Sequence, residues 1–449
     1  MKKSIAVLLA GLSFATVCLS SCKGAKSREG NKAETLLNYD ENASDRMDIW
    51  AYYPDNTDAG MQLLKECGVN VAIATRDGEY NTTKPNAVKN LIELAGKHGI
   101  NVFPFTGHIG LDSDKCLDID WLHDYDNIEG VYMYDEPYPD MIDNIADRVP
   151  FFEENFKGKK FVSALHPSTC VSANGWPVDV NYEQYVESYC TKVLDKMSKD
   201  AYKLLMADVY PIIASGKSKE IKVSHLYNLS VLATSAKDHG AHTNLAIQTL
   251  DHMHYTVPEV ADVRFQVYSA LAFGFDGYTL YTFDTRPSTE KEENRLGLVQ
   301  NGEKTVIYDR VKTVNDEVLA FDHVYKAFDW KGIIPVSVTK ENSSAYSLLE
   351  RSGKYVLAQE SSIVLKGIET NNNILCGVFE DKNKNEGFMI MNYACSGSPC
   401  TAEINLSLID CNKAIVYMNG EKKVIDVKKN TLTLSLTEGN GAFVIPYKG

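Results

Sequence analysis

Eight short apolar runs, each set off from the next by polar or helical sequence, dominate residues 47–285. They are "MDIWAYYP" (47–54), "VNVAIATR" (69–76), "INVFPFTGH" (100–108), "IEGVYMYDEP" (128–137), "KKFVSALHP" (159–167), "YKLLMADVYP" (202–211), "HTNLAIQTL" (242–250) and "DGYTLYTFDT" (276–285). Amphipathic stretches such as "DAGMQLLKECG", "KNLIELAGKHG" and "VADVRFQVYSALAFG" lie between them. The first two end in a glycine where the next strand should begin, a common helix stop. Eight strands alternating with helices is the arithmetic of an α/β fold, a (β/α)8 TIM barrel over 47–330. A doubly wound open sheet is the main rival, and it calls for a glycine-rich first turn that "WAYYPDNTDAG" does not supply. Beyond Lys331 the pattern becomes alternating β-formers and turn residues with no helical period. It predicts a C-terminal antiparallel β-sandwich over 331–449.

The chain begins "MKKSIAVLLAGLSFATVCLSSC". A basic start, an apolar run and small residues make 1–21 a secretion signal, too short for a stable membrane span. Its end, Leu19-Ser20-Ser21-Cys22, resembles the lipobox of bacterial (Bacteroidetes-type) lipoproteins, which implies lipidation at Cys22. The polar stretch over 22–46 reads as a flexible tether from that lipid to the folded body. The expected location is the cell envelope, lipid-anchored at the outer membrane.

Removing 1–21 takes away Lys2 and Lys3 and no acid, so the formal charge moves from -14 to -16. So acidic a surface argues against nucleic acid or anionic lipid as partner. Eight of the ten cysteines remain once Cys18 and Cys22 are set aside, with no zinc-type spacing among them. Cys395 with Cys400, or Cys170 with Cys190, could bridge; buried thiols are the other reading.

In a barrel, function sits at the carboxyl ends of the strands. Taken in order, those ends hold Trp50, Tyr52 and Tyr53; Arg76 and Asp77; His108; Asp135 and Glu136; His166; Asp208 and Tyr210; Gln248; and Tyr281 and Asp284. Carboxylates and aromatic rings predominate, without a Ser-His-Asp or Cys-His pattern and without a phosphate cradle. That set suits a carbohydrate: rings stack on sugar faces while carboxylates bind hydroxyls and move protons. The histidines do not cluster at ligand spacing, so neither a metal nor another cofactor is expected.

Tyr134-Asp135-Glu136-Pro137 at the end of the fourth strand resembles the large clan of barrel glycoside hydrolases, whose acid/base glutamate lies at that place. The likeness in outline covers the whole mature chain, barrel then sandwich. Two departures stand out. The clan usually has asparagine before the glutamate, where this chain has Asp135. The clan also places a nucleophilic glutamate at the end of the seventh strand, where this chain has Gln248. Adjacent Asp-Glu at the fourth strand is instead similar to hexosaminidases that use the substrate's own 2-acetamido group. That resemblance implies Glu136 as acid/base, Asp135 steadying the acetamido nitrogen, and Tyr210 or Tyr281 as donor to the acetamido oxygen. The alternatives are a conventional two-carboxylate glycosidase pairing Glu136 with Asp208 or Asp284, and a non-catalytic carbohydrate-binding lipoprotein.

Overall fold

The computed structural model describes residues 39–74, 85–104, 120–173, 175–216, 218–252, 254–286 and 294–449. Each apolar run contains a strand: β1 Asp48–Tyr52, β2 Val71–Ile73, β3 Asn101–Phe103, β4 Gly130–Asp135, β5 Lys160–Leu165, β6 Leu204–Asp208, β7 His242–Gln248 and β8 Gly277–Tyr281. They form one parallel sheet in the order β3-β2-β1-β8-β7-β6-β5-β4. The ring closes where Val102 bridges Ile128 just ahead of β4, with the Glu129 N–H donating to the Val102 carbonyl at 3.0 Å. This is the (β/α)8 barrel that the eight runs predict.

Strand alternation decides what faces the barrel axis. Side chains two apart share a face, and on β1 Trp50 and Tyr52 turn inward while Ile49 and Ala51 pack outward under the helices. The same parity sends Leu204 and Met206 inward on β6, which aims the next inward position, Asp208, at the mouth. The helices match the amphipathic stretches: Asp58–Glu66, Pro85–Lys97 and Val260–Ala272. Thr57 caps the first, its side chain accepting from the Gly60 N–H at 3.0 Å.

The C-terminal region is a six-stranded antiparallel sheet facing a three-stranded one. The sheet strand Phe328–Val336 contains Lys331, and the helix Ser343–Ser352 interrupts the region, correcting the expectation that no helix follows Lys331. Ile374, Cys376 and Val378 point into the sandwich core, whereas Leu375 and Phe379 join the barrel's outer core. The six-stranded sheet is therefore buried on both faces. Close approach requires glycine at two points: a Cβ at Gly377 would meet the Ala272 carbonyl oxygen at 2.2 Å, and one at Gly441 would meet the Tyr268 ring at 2.5 Å.

The segment from Tyr39 to Arg46 corrects the expectation of a free tether as far as Arg46. Tyr39 donates to Asp381 at 3.0 Å and packs its ring 5.4 Å from Phe328. Arg46 Nε reaches both carboxylate oxygens of the fully buried Asp322, at 2.8 and 2.9 Å. Residues 1–38, with Cys22, lie outside the described residues. Cys170, Cys190, Cys395 and Cys400 are all free thiols, so neither candidate disulfide forms.

Candidate active site

Two backbone devices bring Asp135 and Glu136 to the same mouth. The first is a bulge in β4: Tyr132 pairs with Val162 and Tyr134 with Ser163, leaving Met133 extra. Met133 and Tyr134 both pack toward the outer layer, and the count restores Asp135 to the inward face. There its Oδ1 accepts from the Tyr132 hydroxyl at 2.8 Å, and that phenol lies 2.6 Å from the hydroxyl of Tyr52. The second device is Glu136 itself, whose φ of 51° is left-handed. For a residue with a Cβ such a conformation is uncommon and is held by its surroundings. Here the Glu136 N–H donates to the Ala164 carbonyl at 2.8 Å, and the Tyr185 hydroxyl donates to the carbonyl of Pro137 at 2.6 Å.

Glu136 is the exposed member of its contact pair with His166. Its side chain is 41% exposed, and Oε1 lies 3.4 Å from Nδ1 of His166, an ion-pair distance longer than a good hydrogen bond. Burial works against charge on His166, but Cys170 and Glu136 together prevail and its pKa is raised to about 10. Tyr138 meets the imidazole edge-on with centroids 5.1 Å apart, and Trp176 does so at 6.0 Å.

Asp208 completes a carboxylate trio. It is 7% exposed, its Oδ2 accepts from Tyr210 at 3.0 Å, and its Oδ1 has no hydrogen-bond partner. Burial first, and then the charges of Asp135 and Glu136, push its pKa well above the ordinary carboxylate range. Tyr210 stacks on Tyr281 at 5.4 Å, and Tyr255 meets Tyr210 edge-on at 5.6 Å. These groups share one cavity of about 410 Å³, whose wall includes Asp135, Glu136, Asp208, Tyr210, Tyr255 and Tyr281.

The other expected site residues are placed differently. Trp50 is fully buried, its ring 4.8 Å from Phe103 inside the barrel, so it is core and not a sugar platform. Tyr52 is 2% exposed and reaches the site through the hydroxyl of Tyr132 and an edge-on contact with the Tyr281 ring at 5.8 Å. Gln248 corrects the expectation of a substrate amide: its Nε2 donates to the carbonyls of Leu250 and Thr256 at 2.7 and 2.9 Å, tying down the loop that follows β7. Asp284 does not line the cavity; burial and Asp55 raise its pKa to about 6. Arg286 sits 4.4 Å over the Tyr53 ring and donates to the Tyr281 hydroxyl, so the clamp at this strand end is cation on phenol. Arg76, Asp77 and His108 lie outside the described residues.

Tyr132, Tyr185, Lys222 and Tyr255 were missed. Parity marks Tyr132 as inward on β4, whereas Lys222 and Tyr255 come from loops whose return to the mouth leaves no periodic signal. Among the described residues no group of three or more histidine, cysteine or carboxylate side chains is arranged to hold a metal ion.

No protein-family model matches this chain, and no curated protein matches it either. Several solved structures are similar in fold. An arabinofuranosidase from Xanthomonas axonopodis pv. citri is 9% identical, with 94% of this chain and 96% of that one covered and a TM-score of 0.43. A β-galactosidase from Bacillus circulans sp. alkalophilus is 9% identical, with 89% and 99% covered and a TM-score of 0.44. A β-galactosidase from the psychrophilic Marinomonas ef1 is 9% identical, with 69% and 66% covered and a TM-score of 0.47. Fold and site together define a barrel protein with a carboxylate-lined, tyrosine-walled mouth. Its chemistry has to be argued from that site.

Proposed function

We propose that this protein is a glycoside hydrolase in which Glu136 is the general acid/base. One observation carries the reading: the β4 bulge and the left-handed Glu136 bring two adjacent carboxylates to one aromatic-walled cavity. Backbone strain at a mouth is retained where function requires it. Glu136 gives its proton to the glycosidic oxygen as the bond to the sugar carbon breaks.

The substrate-assisted version is favoured over the two-carboxylate version by Gln248 and Asp208. Gln248 is an amide engaged by its own loop, so β7 supplies no nucleophile. Asp208 is held toward its neutral form, in which a carboxyl group is a poor nucleophile. In the assisted route the acetamido oxygen attacks the sugar carbon, while Asp135, oriented by Tyr132, accepts from the acetamido N–H. Water then opens the ring intermediate and gives its proton to Glu136.

A screen of aryl glycosides with and without a 2-acetamido group tests both parts. Cleavage of acetamido substrates with strong inhibition by a thiazoline supports the assisted route. Cleavage of 2-hydroxy glycosides alone would remove it and make Asp208 the suspect second carboxylate. Binding of glycans without cleavage of any would leave a carbohydrate-binding lipoprotein.

We further propose that Cys22 carries the lipid that holds the protein at the outer membrane. The lipobox directly after the apolar run supports this. Cys22→Ala should then leave the protein unlipidated and soluble, whereas wild type without labelled fatty acid would sink the claim.

A further inference from the structure

The cavity is not acidic throughout. Beyond Asp208, the hairpin formed by Ile212–Ser215 and Ser218–Ile221 returns the chain to the mouth, and the Lys222 N–H donates to the Pro211 carbonyl at 2.8 Å. This pins Lys222 to the cavity wall. Its Nζ donates to the neutral Tyr255 hydroxyl at 2.8 Å and lies 4.9 Å from that ring's centroid. Among the described residues no carboxylate forms an ion pair with it. Elsewhere in the molecule Lys160, Lys219 and Lys326 each meet an aspartate within 2.8 Å.

Further features of the same wall agree. His225 is fully buried, shares Nε2 with Ser269 Oγ at 3.0 Å and leaves Nδ1 without a partner. Burial and then Lys222 hold its pKa down at about 3, and the same two causes lower that of His254. His225 also opens a helix that runs to His239. Its N-cap Ser224, also in the wall, makes no side-chain capping bond, so the positive end of fifteen residues faces the same space. A partly desolvated ammonium without a counterion is costly to keep.

We propose that this wall is an anion subsite, and that the glycan bound here is acidic, carrying a carboxylate or a sulfate ester that pairs with Lys222. The inference rests on the glycosidase reading and names its substrate class. The ammonium supplies the charge, and the Tyr255 hydroxyl that accepts from Lys222 holds it at the wall. The protein's overall negative charge does not forbid this, since a contact pair acts well inside the screening length of about 8 Å at physiological salt.

Calorimetric binding, which needs no turnover, tests it with four probes: an oligogalacturonide, its carboxyl-reduced neutral counterpart, a 6-sulfated N-acetyllactosamine oligosaccharide and its desulfated form. Wild type should bind at least one acidic probe about tenfold or more tighter than its neutral counterpart, and the pair that discriminates identifies carboxylate or sulfate as the anion. Added salt should erode that preference. Lys222→Met should abolish it and Lys222→Arg should keep most of it, with thermal melts confirming that both variants fold. Neutral probes that bind as tightly as acidic ones, or a preference unchanged in Lys222→Met, would overturn the subsite while leaving the glycosidase reading intact. Acidic probes that bind while no aryl glycoside of the screen is cleaved would keep the subsite and overturn the glycosidase. Failure of all four to bind overturns the subsite.

Discussion

The two ends of the barrel hold cavities of similar size, about 410 Å³ at the carboxyl end and about 440 Å³ at the amino end, yet they treat charge in opposite ways. At the amino end the charges at the strand starts are matched within the protein, although Lys237 in the same cavity wall meets only the Trp330 carbonyl and the rings of Trp330 and Tyr355. Lys160 meets Asp48 at 2.8 Å and Glu129 at 2.7 Å, and Lys326 meets Asp276 at 2.8 Å. Burial opposes the charge on Asp276, but His242 and Lys326 outweigh it and hold the carboxyl well below its usual range. At the carboxyl end Asp208 lies near Asp135, Glu136 and phenols with His166 as the opposing charge, and among the described residues no carboxylate pairs with Lys222. Matched charges close the bottom of the barrel; unmatched ones await a ligand at the top. Cavity volume alone would not have told the two apart.

Glu136→Gln should break the comparison hardest at the top. Loss of the proton donor should lower turnover by about 10³-fold on substrates with poor leaving groups, and much less with activated aryl leaving groups. Because the side chain is 41% exposed, stability should change by no more than about 0.5 kcal/mol. Full activity on every substrate would show that Asp135 and Glu136 are a structural turn. Lys160→Met should do the reverse at the bottom. It leaves Asp48 and Glu129 half-buried without their cation, which costs about 3–5 kcal/mol in chemical denaturation. A variant as stable as wild type would show that the amino end does not depend on its ion pairs.

The same contrast bears on what was legible in the sequence. The carboxyl ends of the apolar runs place Asp135, His166, Asp208 and Tyr281 at strand ends, and the structure brings all four to the mouth. That placement failed for Trp50, which has the right parity but sits one step too deep, and for Gln248, whose amide is engaged by the loop over 249–259, which has no periodic signature. The β4 bulge is equally silent, because an extra residue leaves composition and hydropathy unchanged. Lys222 was hidden for another reason. A lysine after a polar hairpin reads as solvated surface, and only the packing shows that no carboxylate accompanies it. Past Lys331, Ser343–Ser352 was read as strand because "AYSLLERS" is bounded by alternating β-formers on both sides.

Asp208→Asn sharpens the comparison through pH. The unfolded chain gives up the Asp208 proton near pH 3.9, whereas the folded chain holds it to much higher pH. In that window the folded state binds the extra proton, so wild type loses stability as pH rises, with a limiting slope of about 1.4 kcal/mol per unit. Asparagine removes this slope while still accepting from Tyr210. The variant should therefore gain on wild type steadily as pH rises from 4.5 in urea titrations. Parallel stability profiles would show that Asp208 is not under that strain.

The smallest effect belongs to the amino end. Arg46→Ala removes a bidentate contact to Asp322, but that carboxylate still accepts from the Met47 N–H at 3.1 Å and the His323 N–H at 2.7 Å. The cost should be about 1 kcal/mol. Its clearer sign is proteolytic: wild type should be trimmed only up to about Tyr39, and the variant up to Asp48, with few cuts near Lys331 in either. Equal trimming of both would mean that Arg46 does not hold the segment down. The distinction matters for the proposed lipid at Cys22. With Tyr39 pinned, the chain between them spans at most about 60 Å when extended, and it enters β1 at the amino end.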